Sequence, residues 1–456
     1  MKILIATMPF SGHFNPLTSV ATRLLERGHE VAWYTAPSFV HKVERLGVTV
    51  FPYRRAVEVT DENIGELYPE RAKLKGPNRL AFDFDKVFAA PVRDHFLDVR
   101  EIRGEFPFEL LVCDAAFFAA TIVARALDVP TYAVNPGPSV YPATDVPPPF
   151  FGLRPARGPL GRVRDRVVWR LVYGSLKLGL VSFNDAFAVA GLPAVKERDV
   201  FRLVEQTATR VFQCGIPETD FPRSQAPPNT MYVGALLPQK ADAAAPLDPR
   251  ITAWSGPVVV VSQGTVDNRD PSKLIAPTID ALAGSDTLVV AVTAGSGTAE
   301  LRRRYPLPSV IVEEFIDFHQ LFQHADVFVC NGGHGSVMLA LQYRVPLLLA
   351  GTREGKNDIN ARLAYNGVAV DLRTEHPSAR RIAVGVARVL ADQGLHARTR
   401  AVGAILDGYD SLGLIEAALA EDFPRLPGST GPDSSTRRDG STVPDSSPAP
   451  QQTEST

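Results

Sequence analysis

Cysteine is scarce in this 456-residue chain. Its three cysteines, Cys113, Cys214 and Cys330, are far apart and odd in number. That excludes a disulfide framework and any paired-cysteine zinc spacing, and it favours a reducing compartment. An excess of one charge is also missing. Lys plus Arg number 48 against 50 for Asp plus Glu, a net charge of −2. The chain as a whole therefore offers no electrostatic footprint for nucleic acid or an anionic membrane. No stretch approaches the about 18 uninterrupted apolar residues of a membrane-spanning helix. The opening Lys2–Thr7 run turns polar too soon for a signal peptide. The expectation is a cytoplasmic protein with no integral membrane segment. No repeat of solenoid period is present. Two phosphate fingerprints are absent too. Gly355-Lys356-Asn357 lacks the Ser/Thr and the upstream glycine of a P-loop, and Ser11-Gly-His-Phe-Asn-Pro16 has one glycine and a bulky Phe14 where a G-x-G-x-x-G would stand. That argues against a nicotinamide dehydrogenase.

Apolar residues make up 45% of the chain, enough for a large core. Short apolar runs alternate with helical patterns. Strands are expected at Lys2–Thr7, Glu30–Thr35, Leu110–Cys113 and Thr131–Val134. Between the first two, Leu17, Val20, Ala21, Leu24 and Leu25 fall at helical spacing, with Asn15-Pro16 as the expected start and Gly28 as the stop. A second series follows the Pro-, Ala- and Asp-rich stretch around Pro238–Pro249. Its strands are expected at Val258–Ser262, Leu288–Thr293, Ser309–Val312, Val327–Cys330, Leu347–Ala350 and Val368–Asp371. Strands that are apolar throughout and alternate with helices imply parallel sheets covered on both faces. The fold class is therefore α/β, two doubly wound Rossmann-like domains facing across a cleft. The expected division is 1–225, 240–425 and a tail, 428–456. The tail is Ser, Thr, Pro, Asp, Gly and Gln with almost no apolar residue, too little to offset its ordering entropy.

Chemistry-bearing residues gather at the expected strand ends, where such folds bind ligands. Asn331-Gly-Gly-His-Gly-Ser336 joins an apolar strand to a helix. Glycines there let the backbone approach an anion, and amides plus the helix dipole would hold it; a plain tight turn is the alternative. Ser262-Gln-Gly-Thr265 leaves the first strand of the second series and is equally compatible with an ordinary turn. His13 follows the first strand and Asp114 ends another. Side by side, the carboxylate would hold one ring nitrogen while the other takes a proton. Apart, His13 would be one more solvated histidine. Asp83-Phe-Asp85 resembles a metal-binding D-x-D, but its helical setting reads as a solvated face.

Gly12-His-Phe-Asn-Pro16, Asp114, Ser262-Gln-Gly-Thr265, Glu314-Phe-Ile-Asp-Phe-His319 and above all 331–372 resemble the GT-B nucleotide-sugar glycosyltransferases. The match is to family 1, the macrolide/UDP-glycosyltransferase-like proteins of bacterial type, and it covers nearly everything but the tail. Its most specific part runs from Val327 through Asn360-Ala-Arg362 to Asp371. The resemblance implies inverting transfer from a UDP- or dTDP-sugar to a hydroxyl of a small hydrophobic acceptor, with no metal and no further cofactor. It implies His13 as general base and Asp114 as its partner. Gly332, Gly333, His334, Gly335 and Ser336 would form the diphosphate cradle, with Gly264 and Thr265 beside it. Phe315 and Ile316 would meet the nucleobase. The first domain would hold the acceptor and the second the donor.

Some positions depart from the family pattern. Asn331 replaces a phosphate-contacting His and would still donate a hydrogen bond. Leu339 replaces a ribose-gripping Glu. Gly355 and Lys356 replace an Asp-Gln pair that meets the sugar, with Glu354 adjacent as a substitute. A missing ribose clamp is tolerable for a deoxyribose donor, so both nucleotides stay open. The acceptor side is marked only by Pro147–Phe151 and the apolar run Trp169–Phe183. A nucleotide-sugar epimerase or hydrolase on the same fold, or a degenerate nucleotide-binding protein, is also compatible with the sequence.

Overall fold

Seven strands form the first sheet: β1 (Lys2–Ala6), β2 (Glu30–Thr35), β3 (Thr49–Pro52), β4 (Leu110–Asp114), β5 (Thr131–Asn135), β6 (Arg210–Gln213) and β7 (Thr230–Tyr232). Six form the second: β8 (Val258–Ser262), β9 (Leu288–Val292), β10 (Val310–Glu313), β11 (Val327–Cys330), β12 (Leu347–Leu349) and β13 (Ala369–Asp371). The orders are β3-β2-β1-β4-β5-β6-β7 and β10-β9-β8-β11-β12-β13, and neighbouring strands pair in parallel throughout. Central strands such as β4, β8 and β9 are buried along their whole length, as their unbroken apolar runs require. The computed structural model describes residues 1–60, 62–227, 229–237, 245–264, 268–353 and 355–424. The tail at 428–456, Thr265, Glu354 and residues 238–244 of the expected linker lie outside the described residues. Residues 1–415 form one compact unit holding both sheets.

Both sheets have the Rossmann order, with the chain reversing direction between β1 and β4 and again between β8 and β11. The crevice outside the carboxyl ends at such a switch point is where open α/β sheets bind ligands. His13 and Asp114 flank the first switch point. Gly264 and Asn331–Ser336 flank the second.

Three observations correct the sequence reading. The first helix, α1, spans Ser11–Glu26 and holds Pro16 inside it. Asn15 is therefore not its cap, and His13 lies in the first helical turn rather than in a loop. Pro16 is the sixth helical residue, so its missing N–H removes the hydrogen bond that would reach the Gly12 carbonyl near the helix start. The first sheet continues through β7, past the expected domain end at 225. Finally, Asp83-Phe-Asp85 is not a solvated face. Asp85 is buried and accepts from the Ser182 hydroxyl, while Asp83 is paired with Arg71.

The long helix α2, Gly158–Val189, contains the apolar run Trp169–Phe183 and divides it. Val172, Leu176 and Phe183 enter the core, whereas Leu171, Leu178 and Val181 face solvent. Trp169 and Tyr173 stack on each other at 5.0 Å and pack near Phe201, which in turn approaches Phe150.

Candidate active site

Parallel pairing of Ala6 with Cys113 brings the ends of β1 and β4 together. The buried Asp114 carboxylate accepts from Met8 N at 2.7 Å, Ala116 N at 2.9 Å and His13 Nδ1 at 2.9 Å. A carboxylate can only accept, so Nδ1 carries a proton; in the neutral imidazole Nε2 is then the acceptor. Two backbone donors fix the carboxylate, and the carboxylate fixes the ring. The His13 side chain is 30% exposed, with the Phe10 ring edge-on at 5.8 Å. The His13 ring is thus oriented and partly accessible.

In the second sheet, Cys330 pairs with Ser262, which sets Asn331 beside Gln263. The buried Asn331 amide donates to Gln263 O at 2.6 Å. Its side chain therefore ties two strand-end loops together. Asn360, completely buried, donates to Gly351 O at 3.0 Å and Asn331 O at 3.4 Å. The loops after β8, β11 and β12 are in this way held as one surface. Gly332 sits at φ +94°, where a Cβ would lie 1.9 Å from Asn360 Oδ1, whereas a Cβ at Gly335 would meet nothing within 4 Å. One glycine is demanded by packing; the other leaves space over the backbone.

Helix α3, His334–Gln342, begins at this loop with Gly333 as its cap residue. The Ser336 hydroxyl donates back to Gly333 O at 3.0 Å. The first N–H groups of a helix have no intrahelical acceptor and carry the positive end of its dipole. They belong here to His334, Gly335 and Ser336. Burial holds the His334 imidazole down to about 4 despite the nearby Asp220, so it stays neutral at physiological pH. Its ring lines a small cavity with Asp220, Tyr232, Met338 and Arg362. Gly264 precedes the undescribed Thr265 and donates to Ser262 Oγ at 3.2 Å. Phe315, beyond β10, is 70% exposed, while Ile316 packs against the core. Leu339 belongs to that same core. Lys356 is buried at the start of helix α4, Lys356–Tyr365.

Helix α4 carries residues that sequence reasoning passed over. Arg362 Nε donates to Asp220 Oδ1 at 2.6 Å, bridging 142 residues and both halves of the unit. Tyr232 OH donates to the other oxygen, Oδ2, at 3.0 Å, and Arg223 lies 3.6 Å from it. Burial opposes ionisation of Asp220, but the Arg362 and Arg223 guanidiniums outweigh it and hold its pKa below the ordinary value. Asp358 accepts from Phe150 N and from Gly152 N at 2.7 Å, and Asn357 donates to Phe150 O at 2.8 Å. Burial raises the Asp358 pKa in spite of Arg362 and those amides. Phe150 adopts φ 76°, unfavourable for a bulky side chain, and this carboxylate holds it there. The donors Phe150 and Gly152 lie at the end of the acceptor-side segment singled out in the sequence. The only hint at Asp358 was its place between Gly355 and Asn360-Ala-Arg362.

No family model matches the chain. It is 34% identical over 430 residues to 4'-demethylrebeccamycin synthase of Lentzea aerocolonigenes, covering 92% of this chain and 99% of that protein. It is 30% identical over 418 residues to UDP-glycosyltransferase 2 of Phaeomoniella chlamydospora, covering 86% and 89%. The crystal structure of the calicheamicin glycosyltransferase CalG4 superposes with a TM-score of 0.72 at 19% identity, covering 93% of this chain and 99% of that one. Two Rossmann-ordered sheets, ligand-type loops at both switch points and this full-length identity agree: the chain belongs to the GT-B nucleotide-sugar glycosyltransferases of family 1.

Proposed function

We propose that the enzyme transfers a sugar, with inversion, from a UDP- or dTDP-sugar to a hydroxyl of a small hydrophobic acceptor. The observation that carries this is the His13–Asp114 pair at the first switch point, its carboxylate held by two backbone amides. His13 Nε2 takes the acceptor proton as the hydroxyl oxygen attacks the anomeric carbon. The bond from that carbon to the diphosphate oxygen breaks on the opposite face, which inverts the centre. A positioned base of this kind supplies roughly 10²–10⁴-fold. The leaving diphosphate gains charge, and the amides opening α3 are suited to meet it without a metal. Phe315, exposed beyond β10, is suited to stack on the nucleobase. Phe150, Phe151, Trp169 and Tyr173 suit an apolar acceptor, as such pockets are mostly apolar and aromatic.

His13→Ala and Asp114→Asn test the mechanism. Transfer should fall by roughly 10²-fold or more with His13→Ala, while UDP or dTDP still raises the melting temperature. A ligand at 100 times its Kd stabilises by about 2.7 kcal/mol, a shift large enough to read. Normal turnover by His13→Ala would overturn the base assignment. Turnover abolished by EDTA would overturn the metal-independent route. Donor consumed equally fast with no acceptor present would favour a hydrolase.

A further inference from the structure

We infer that α2 carries a docking face for an anionic lipid surface. Leu160, Val163, Val167, Leu171, Leu178 and Val181 recur every three or four residues, apart from a gap filled by Gly174. At 100° per residue they fall within one arc of roughly 80°. All six are exposed, Leu160 by 85% and Val181 by 73%. The opposite side of the helix, through Val172, Leu176 and Phe183, is buried. The core is thus already satisfied, and the stripe is a second apolar face running about 32 Å along the helix.

Charge chooses the occupant. The exposed charged residues between Leu160 and Val181 are basic. Arg166, Arg170 and Lys177 lie along one margin of the stripe and Arg162 lies further round, while the exposed Asp185, one turn beyond Val181 on the same face, is paired with Arg93. The half-buried Asp165 is already paired with Arg164. A whole-chain charge of −2 conceals this local edge. A second copy laid antiparallel, stripe to stripe, would bring the basic margins together, which is unfavourable. The stripe holds Leu and Val with no aromatic anchor, unlike the centres of protein interfaces. A straight Leu/Val face with a basic margin matches a helix lying in the plane of an anionic bilayer, with its apolar side in the acyl boundary. No helix among the described residues is long and apolar enough to cross a membrane, so this contact is peripheral.

The test is co-sedimentation of the full chain with phosphatidylcholine vesicles, with and without phosphatidylglycerol, at low and high salt. Pelleting is expected with phosphatidylglycerol and should weaken with salt. Arg166→Gln with Arg170→Gln should weaken it by roughly 25-fold, about fivefold per basic residue. Leu160→Asn with Val163→Asn should also weaken it, and a melting temperature unchanged in both variants would show that they fold. The inference is overturned if anionic vesicles fail to pellet the protein, or if neither variant alters pelleting. It is equally overturned if the chain is a dimer in solution that Leu160→Asn with Val163→Asn converts to monomer.

Discussion

Gly332→Ala should destabilise the protein by about 2–5 kcal/mol, and most of that cost should depend on Asn360. Two effects combine. At φ +94° an alanine is strained by about 1–2 kcal/mol. Its Cβ would also lie 1.9 Å from Asn360 Oδ1, an overlap that forces a shift costing about 1–3 kcal/mol. Asn360 cannot move cheaply, because its amide holds Gly351 O and Asn331 O. Urea unfolding midpoints at unchanged slope would measure the loss. In an Asn360→Ala background, itself destabilised, the added cost of Gly332→Ala should shrink to the backbone part, about 1–2 kcal/mol. Gly335→Ala is the contrast. It lies in α3 with open space around a Cβ, so stability should hold or rise by up to about 1 kcal/mol. Its affinity for UDP or dTDP should fall if the diphosphate lies over that amide. A Gly332→Ala cost under about 0.5 kcal/mol, the range of an ordinary surface change, would refute the reasoning, as would a cost indifferent to Asn360.

Asp220→Asn leaves the Arg362 guanidinium buried without its counter-charge and should cost about 3–5 kcal/mol. Adding Arg362→Met should recover part of that in the same unfolding assay. Phe315→Ala should weaken nucleotide diphosphate binding by about 1–3 kcal/mol, the usual worth of an aromatic stack on a base, with little change in melting temperature. Stability should also fall on acidification between pH 6.5 and about 4. Burial keeps His334 and His95 neutral down to about 4 in the folded protein, against 6.5 unfolded. The unfolded chain therefore binds those protons first. Unfolding of His334→Asn across that window should show a shallower slope, with His95 adding to the fall and buried Glu205, raised to about 7, opposing it.

Most strands were readable because they are buried on both sides, which forces runs such as Val258–Val261 to be apolar throughout. β3, β6 and β7 were not. They lie towards the edges of their sheet, are short and mix in Pro52, Arg210 or Thr230, so no apolar run marks them. The misplaced start of α1 has a local cause: Asn15-Pro16 is a good cap signal, and nothing in the sequence shows one helical turn preceding it. His13 and Asp114 were found from their places at strand ends, but their contact depends on strand order, which no local pattern encodes. The Asp220–Arg362 bridge was invisible for the same reason. The packing role of Asn331, whose amide joins two loops, was likewise invisible because it depends on which strands are neighbours.

Helix α4 has one foot in each half of the enzyme. Asn360 fastens the loops of the second sheet, while Asp358 and Arg362 grip segments of the first. Separating the halves on this side would expose a buried ion pair and strip two amides of their carboxylate. A swing that leaves α4 seated breaks none of these bonds. The helix therefore pins the two halves to each other on this side.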